Sequence, residues 1–140
     1  MAAGDHSQVD VGYSASMQIQ VTDKMVRQFA EMSGDFNPIH LDEEYAKTTR
    51  FGRRIAHGMI VAALFSRALN ESLGQGGVYL GQSLKFVNPV FIDDTLTITV
   101  TVTGLRKEKG IASAETIATK QNGDVCVKGE AVIMIASGVK

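Results

Sequence analysis

Between residues 95 and 103 threonine alternates with leucine, isoleucine and valine in strict period two. That pattern sends every second side chain to one face of an extended strand, and β-branching on both faces favours the extended state. Further strands are expected over residues 111–119 and 125–136, joined by Lys107-Glu108-Lys109-Gly110 and Gln121-Asn122-Gly123-Asp124 as hairpin links. Residues 79–86, closed by Asn88-Pro89, add another strand, and residues 17–21 a short one. Residues 57–73 show no alternation. Met59, Ile60, Ala63, Leu64, Ala68 and Leu69 instead recur at helical spacing, while Val61, Ala62 and Phe65 fill the other sides of the first half. A helix apolar nearly all round needs enclosure by other structure. Residues 24–32 carry Met25, Val26, Phe29 and Met32 on one helical face, with Thr22 or Asp23 to cap the start and Gly34 to close the end. Asp42 is placed to cap a short helix through Tyr45 and Ala46, and the stretch from Gly34 to His40 is turn chemistry. Strands of roughly 8 to 12 residues twist strongly enough to curl. The expected fold is therefore α+β, a curved antiparallel sheet wrapping the helix of residues 57–73. Residues 1–14 lack periodicity and are expected to be a flexible lead-in to a single domain over residues 15–140.

With 140 residues there is room for one core and not two. Fourteen Lys and Arg against fifteen Asp and Glu give a net charge of -1, so no positive field favours nucleic acid. The longest apolar run, from Met59 to Phe65, is far below the roughly 20 residues needed to cross a bilayer. The start of the chain has the features of neither a secretory signal nor a transit peptide, so a cytoplasmic protein without a membrane span is expected. A lone cysteine, Cys126, allows no intrachain disulfide and no cysteine zinc cluster. The sequence holds no Walker loop, no GxGxxG, no GxSxG and no metal-spaced His or Cys cluster, so neither a metal nor an organic cofactor is expected.

Two segments could carry chemistry. In Gly34-Asp35-Phe36-Asn37-Pro38-Ile39-His40 a carboxylate and an imidazole lie five residues apart across a proline-containing loop. A loop can aim both at one point, where they could share activation of a water molecule. The same residues are also ordinary turn formers, with His40 as a surface or capping residue, and spacing does not decide between these readings. In Phe51-Gly52-Arg53-Arg54-Ile55-Ala56-His57-Gly58-Met59 a loop runs into the apolar helix. Free N–H groups at a helix start stabilise an oxygen that gains negative charge, and Gly58 would admit a substrate closely. Equally, Gly58 can be a backbone necessity and His57 a cap or packing residue. Ser66, two turns on, reads first as a helix hydroxyl bonded to its own backbone. Arg53, Arg54 and Lys85 are candidate phosphate contacts, and Cys126 between two valines reads as strand packing.

Taken in order, Gly34-Asp35-Phe36-Asn37-Pro38-Ile39-His40 and Arg53-Arg54-Ile55-Ala56-His57-Gly58-Met59 resemble the MaoC-like (R)-specific enoyl-CoA hydratases. The D-x-N-P-x-H loop is that family's signature, and the likeness runs over roughly residues 15 to 136, through Phe86-Val87-Asn88-Pro89-Val90 and Asp93-Asp94-Thr95-Leu96. The resemblance implies a hotdog fold, paired as a homodimer, acting on an acyl-CoA enoyl thioester. It implies that Asp35 and His40 hold the water that adds to the double bond and that the Gly58 N–H polarises the thioester carbonyl. Asn37, His57 and Ser66 would bind substrate or support these groups. The alternatives are a 3-hydroxyacyl carrier-protein dehydratase, a hotdog acyl-CoA thioesterase and a non-catalytic acyl-thioester-binding subunit.

Overall fold

The alternating threonines form the centre of the sheet in a computed structural model that describes residues 9–74 and 76–135. In chain order the elements are β1 (Ser14–Gln20), α1 (Asp23–Ser33), α2 (Pro38–Leu41), α3 (Glu43–Lys47) and α4 (Gly58–Leu73). They are followed by β2 (Val78–Gln82), β3 (Lys85–Phe86), β4 (Thr95–Arg106), β5 (Ile111–Lys120) and β6 (Val125–Met134). The strands make one antiparallel sheet in the order β1-β4-β5-β6-β2, with β3 also paired to β6. β4 buries Leu96, Ile98, Val100 and Val102 and turns its threonines outward, as period two requires. Register shifts in the β4–β5, β5–β6 and β2–β6 pairs bend the long strands around α4. No helix among the described residues is long and apolar enough to cross a membrane.

α4 presents Ile60, Val61, Leu64, Phe65, Ala68, Leu69 and Leu73 to the concave face of the sheet. Phe65 is fully buried there, and its truncation to alanine would cost about 3–5 kcal/mol in lost contacts and cavity. The expected enclosure of this helix is only half met. Met59, Ala63, Ser66, Arg67 and Asn70, spaced along the opposite face, are exposed, because the sheet covers one side of the helix and nothing else among the described residues covers the other.

Other departures have local causes. The single strand expected over residues 79–86 is two strands that run along β6 in one continuous register, Gln82 opposite Ala131 and Lys85 opposite Lys128, interrupted at Ser83 and Leu84. Ser83 donates its amide to Glu130 O and accepts the Glu130 amide on its hydroxyl, both at 2.9 Å. A Cβ on Gly129 would lie 1.8 Å from Ser83 O, so the close approach of the Ser83 carbonyl at this interruption requires glycine. The turn expected between Gly34 and His40 contains the one-turn helix α2. The first strand begins at Ser14, three residues before the expected start, and the order extends back to a buried Val9, with Gly12 N and Tyr13 O both bonded to Val102 at 2.8 Å. The remainder of the lead-in, residues 1–8, and the end expected for the last strand at residue 136 lie outside the described residues.

Candidate active site

Gly34 ends α1 in the left-handed region, φ 79°, and its amide bonds Ala30 O at 2.9 Å. The chain then turns by side-chain chemistry. Asp35 Oδ1 accepts from the Asn37 amide at 3.2 Å, and Asn37 Oδ1 accepts from the Ile39 amide at 3.2 Å, capping α2 with Pro38 in its first turn. This local code delivers Asp35 to the surface and His40, only 8% exposed, to the interior. His40 Nδ1 lies 2.7 Å from Ile55 O. A carbonyl only accepts, so Nδ1 carries the hydrogen and a neutral ring keeps its lone pair on Nε2. Burial lowers the pKa of His40 below the ordinary 6.5, outweighing the Ile55 bond that would raise it. Arg54 donates from Nε to His40 O at 2.7 Å and pairs with Asp23, joining the start of α1 to the loop.

His57, 2% exposed, sits at the N-cap of α4, and its Nε2 lies 3.0 Å from Asp35 O. Its ring stacks on that of His40 with centroids 3.8 Å apart and planes at 28°, and Phe29 packs against it at 4.8 Å. A carboxylate oxygen of Asp35 and one ring nitrogen from each histidine lie within 4.8 Å of one another. Two acceptors about 4.4 Å apart are what one water spans when it donates both hydrogens at ~2.8 Å. The same distances would admit a cation. Against that, one nitrogen of each histidine is committed to a carbonyl, and stacked rings direct their lone pairs in near-parallel planes rather than to one point.

α4 differs from the other helices at its start. Thr22, Asn37 and Asp42 cap α1, α2 and α3 with their side chains, whereas His57 makes no such bond to α4. The Gly58 amide has no acceptor among the described residues. Gly58 and His40 line one cavity of about 400 Å³, whose other walls, including Ile55, Met59, Phe86 and Val127, are mostly apolar. The room that glycine leaves is taken by Phe86, since a Cβ at Gly58 would lie 2.5 Å from its ring.

The structure thus brings together Asp35, His40, His57 and Gly58. Asn37 acts on the loop through its cap. Ser66 stands apart on the exposed face of α4, lining a separate hollow of about 460 Å³ with Leu69, Tyr79 and Met134. Arg54 is not a free phosphate contact, because its guanidinium is held by Asp23 and the His40 carbonyl. Arg53 lies over the Phe91 ring at 3.9 Å, and Lys85 pairs across the strands with Lys128. Cys126 is buried and its thiol is pushed up to about 11, consistent with packing rather than nucleophilic use. The contacts of Phe86 with Gly58 and of Phe29 with His57 carry no signal in the sequence, since each joins segments 28 residues apart.

Residues 6–123 match the family described as MaoC like domain. The (R)-specific enoyl-CoA hydratase of Aeromonas caviae is 46% identical over 128 residues, 91% of this chain and 96% of that protein. A protein of the same name from Rhodospirillum rubrum is 46% identical over 125 residues, 89% of this chain and 86% of its own length. The solved (R)-hydratase from A. caviae superposes with a TM-score of 0.89 at 45% identity, covering 92% of this chain and 98% of that one, and it shares the hotdog arrangement of helix and sheet. The chain belongs to the MaoC-like family of hotdog-fold proteins.

Proposed function

We propose that this protein is a hydro-lyase that adds water to trans-2-enoyl-CoA, giving the (R)-3-hydroxyacyl thioester, through a water held between Asp35 and His40. The observation that carries the reading is the convergence of the Asp35 carboxylate and the His40 ring beside an uncapped helix start, in a chain 46% identical to a named (R)-specific enoyl-CoA hydratase.

The chemistry follows from the geometry. With Nδ1–H fixed on Ile55 O, His40 offers Nε2 as an acceptor, and the Asp35 carboxylate offers a second. A water donating to both points an oxygen lone pair away from them, toward C3 of a thioester in the cavity. As the C3–O bond forms, the C2–C3 π electrons move toward the thioester oxygen, and the free Gly58 N–H stabilises the charge that develops there. Asp35 takes the proton released by the water and returns it to C2 from the same side, so hydroxyl and hydrogen add syn. The apolar walls keep bulk water from the enolate and strengthen each of these interactions.

The protein is further proposed to act as a homodimer. β2 is an edge strand with Val78 52% and Leu80 49% exposed, and the uncovered face of α4 adds Met59 at 52%. A second copy covers both surfaces at once. Loss of the ultraviolet absorbance of a short trans-2-enoyl-CoA tests the activity, with chiral analysis of the product and carrier-protein thioesters run in parallel. Formation of the (R)-alcohol on CoA supports the proposal. Exclusive turnover of the carrier-protein thioester, or release of free thiol, contradicts it. Light scattering on the eluted protein reads the dimer.

A further inference from the structure

We propose that His57 is a positioning residue that holds Asp35 and His40 at the separation their shared water requires. The inference rests on the hydratase reading above and extends it to a residue that does not line the substrate cavity.

His57 Nδ1 is buried without a hydrogen-bond partner among the described residues. Such an atom is a standing cost to the fold, and a phenylalanine would fill the same space between Phe29 and His40 without it. What phenylalanine could not do is bond Asp35. His57 Nε2 faces the Asp35 carbonyl at 3.0 Å, so the hydrogen resides on Nε2 and Nδ1 is left as the unused atom of that tautomer. The orphan is the consequence of using the other nitrogen.

That one bond acts at the point where the loop most needs it. Asp35 is exposed, its side chain holds only the Asn37 amide two residues on and its amide only Ser33 Oγ at the end of α1, whereas the His40 end of the loop is tied by Arg54 to His40 O and by the Ile55 amide to Ile39 O. His57 ties the Asp35 end to the start of α4, whose first residue is Gly58. The same ring lies flat on His40, limiting its tilt, while Ile55 O fixes its rotation. One side chain thus references the carboxylate, the imidazole and the Gly58 amide to the end of a single helix.

The test uses the full-length protein with His57→Phe, which keeps an aromatic ring against Phe29 and His40 but lacks the donor, and His57→Gln, whose amide nitrogen can reach the Asp35 carbonyl. In His57→Phe, kcat falls by about 10- to 100-fold with KM within about threefold, the loss expected for reacting groups misplaced by up to ~1 Å. His57→Gln recovers kcat to within about tenfold of the native protein. Independently of activity, amide exchange at Asn37 and Ile39 accelerates in His57→Phe and slows again in His57→Gln, with the melting temperature of His57→Phe at least that of the native chain. Unchanged Asn37 and Ile39 exchange in His57→Phe overturns the proposal, as does native kcat in that variant. Inactivity of the native protein on every thioester, with the exchange pattern intact, overturns the hydratase reading while leaving the anchor in place.

Discussion

Replacing Gly58 with alanine separates the catalytic from the structural use of that position. Its φ lies outside the left-handed region, so the backbone accepts an L-residue. The new methyl would sit 2.5 and 2.6 Å from two carbons of the Phe86 ring. Carbon atoms rest at about 3.5–4.0 Å, so the ring must retreat by roughly 1 Å or more. Phe86 is 55% exposed and can swing outward without disturbing the core. Its lost contact, set against the better helix propensity of alanine, leaves stability within about 1 kcal/mol of the native protein. Catalysis has no such escape. The methyl and the displaced ring both intrude where the thioester oxygen must approach the amide, and weakening a single oxyanion donor costs about 10²–10³ in kcat. Steady-state hydration kinetics beside thermal melts check this. A double variant, Gly58→Ala with Phe86→Ala, removes the collision and shows whether methyl or ring is the obstacle. A Gly58→Ala protein retaining native kcat would refute the role assigned to the amide.

Two further outcomes are expected. Because burial puts the folded-state pKa of His40 below 6.5, the native state binds fewer protons than the unfolded chain in that window. The His40 contribution to stability is therefore complete above pH 6.5 and declines as pH falls toward the folded value; kcat/KM follows with an acid limb below 6.5, and a limb above 6.5 in pH–rate data would contradict the assignment. Gly129→Ala places a carbon 1.8 Å from a backbone oxygen rather than a movable side chain, so it destabilises by about 1–3 kcal/mol or more and displaces Phe86, read as a lowered urea midpoint together with reduced activity.

The elements with strong periodicity were legible from the chain. The threonine alternation of β4, the apolar stripe of α4 and the cap at Asp42 each carry their structure locally, and of Thr22 and Asp23, the two caps the sequence offers for α1, Thr22 is the one used. The break between β2 and β3 was not, because it depends on Gly129 lying under Ser83, a contact between segments 46 residues apart. The open face of α4 is not legible for a related reason: periodicity reports that a surface is apolar, and not which part of the structure covers it. Within the site, the turn residues are legible in the sequence; spacing allows the pairing of Asp35 with His40 without deciding it, and the resemblance to the MaoC-like hydratases is what implies it. The stacking of His57 on His40 and the ring of Phe86 over Gly58 arise only when distant segments meet.

The most direct test of the central claim follows the absorbance of a short trans-2-enoyl-CoA with native protein, Asp35→Asn and His40→Gln side by side, while monitoring free thiol. General acid–base catalysis supplies about 10²–10⁴-fold, so each variant should lose at least ~100-fold in rate while melting as a folded protein, with no thiol released by any. Losses below about tenfold in both variants would take this loop out of the chemistry.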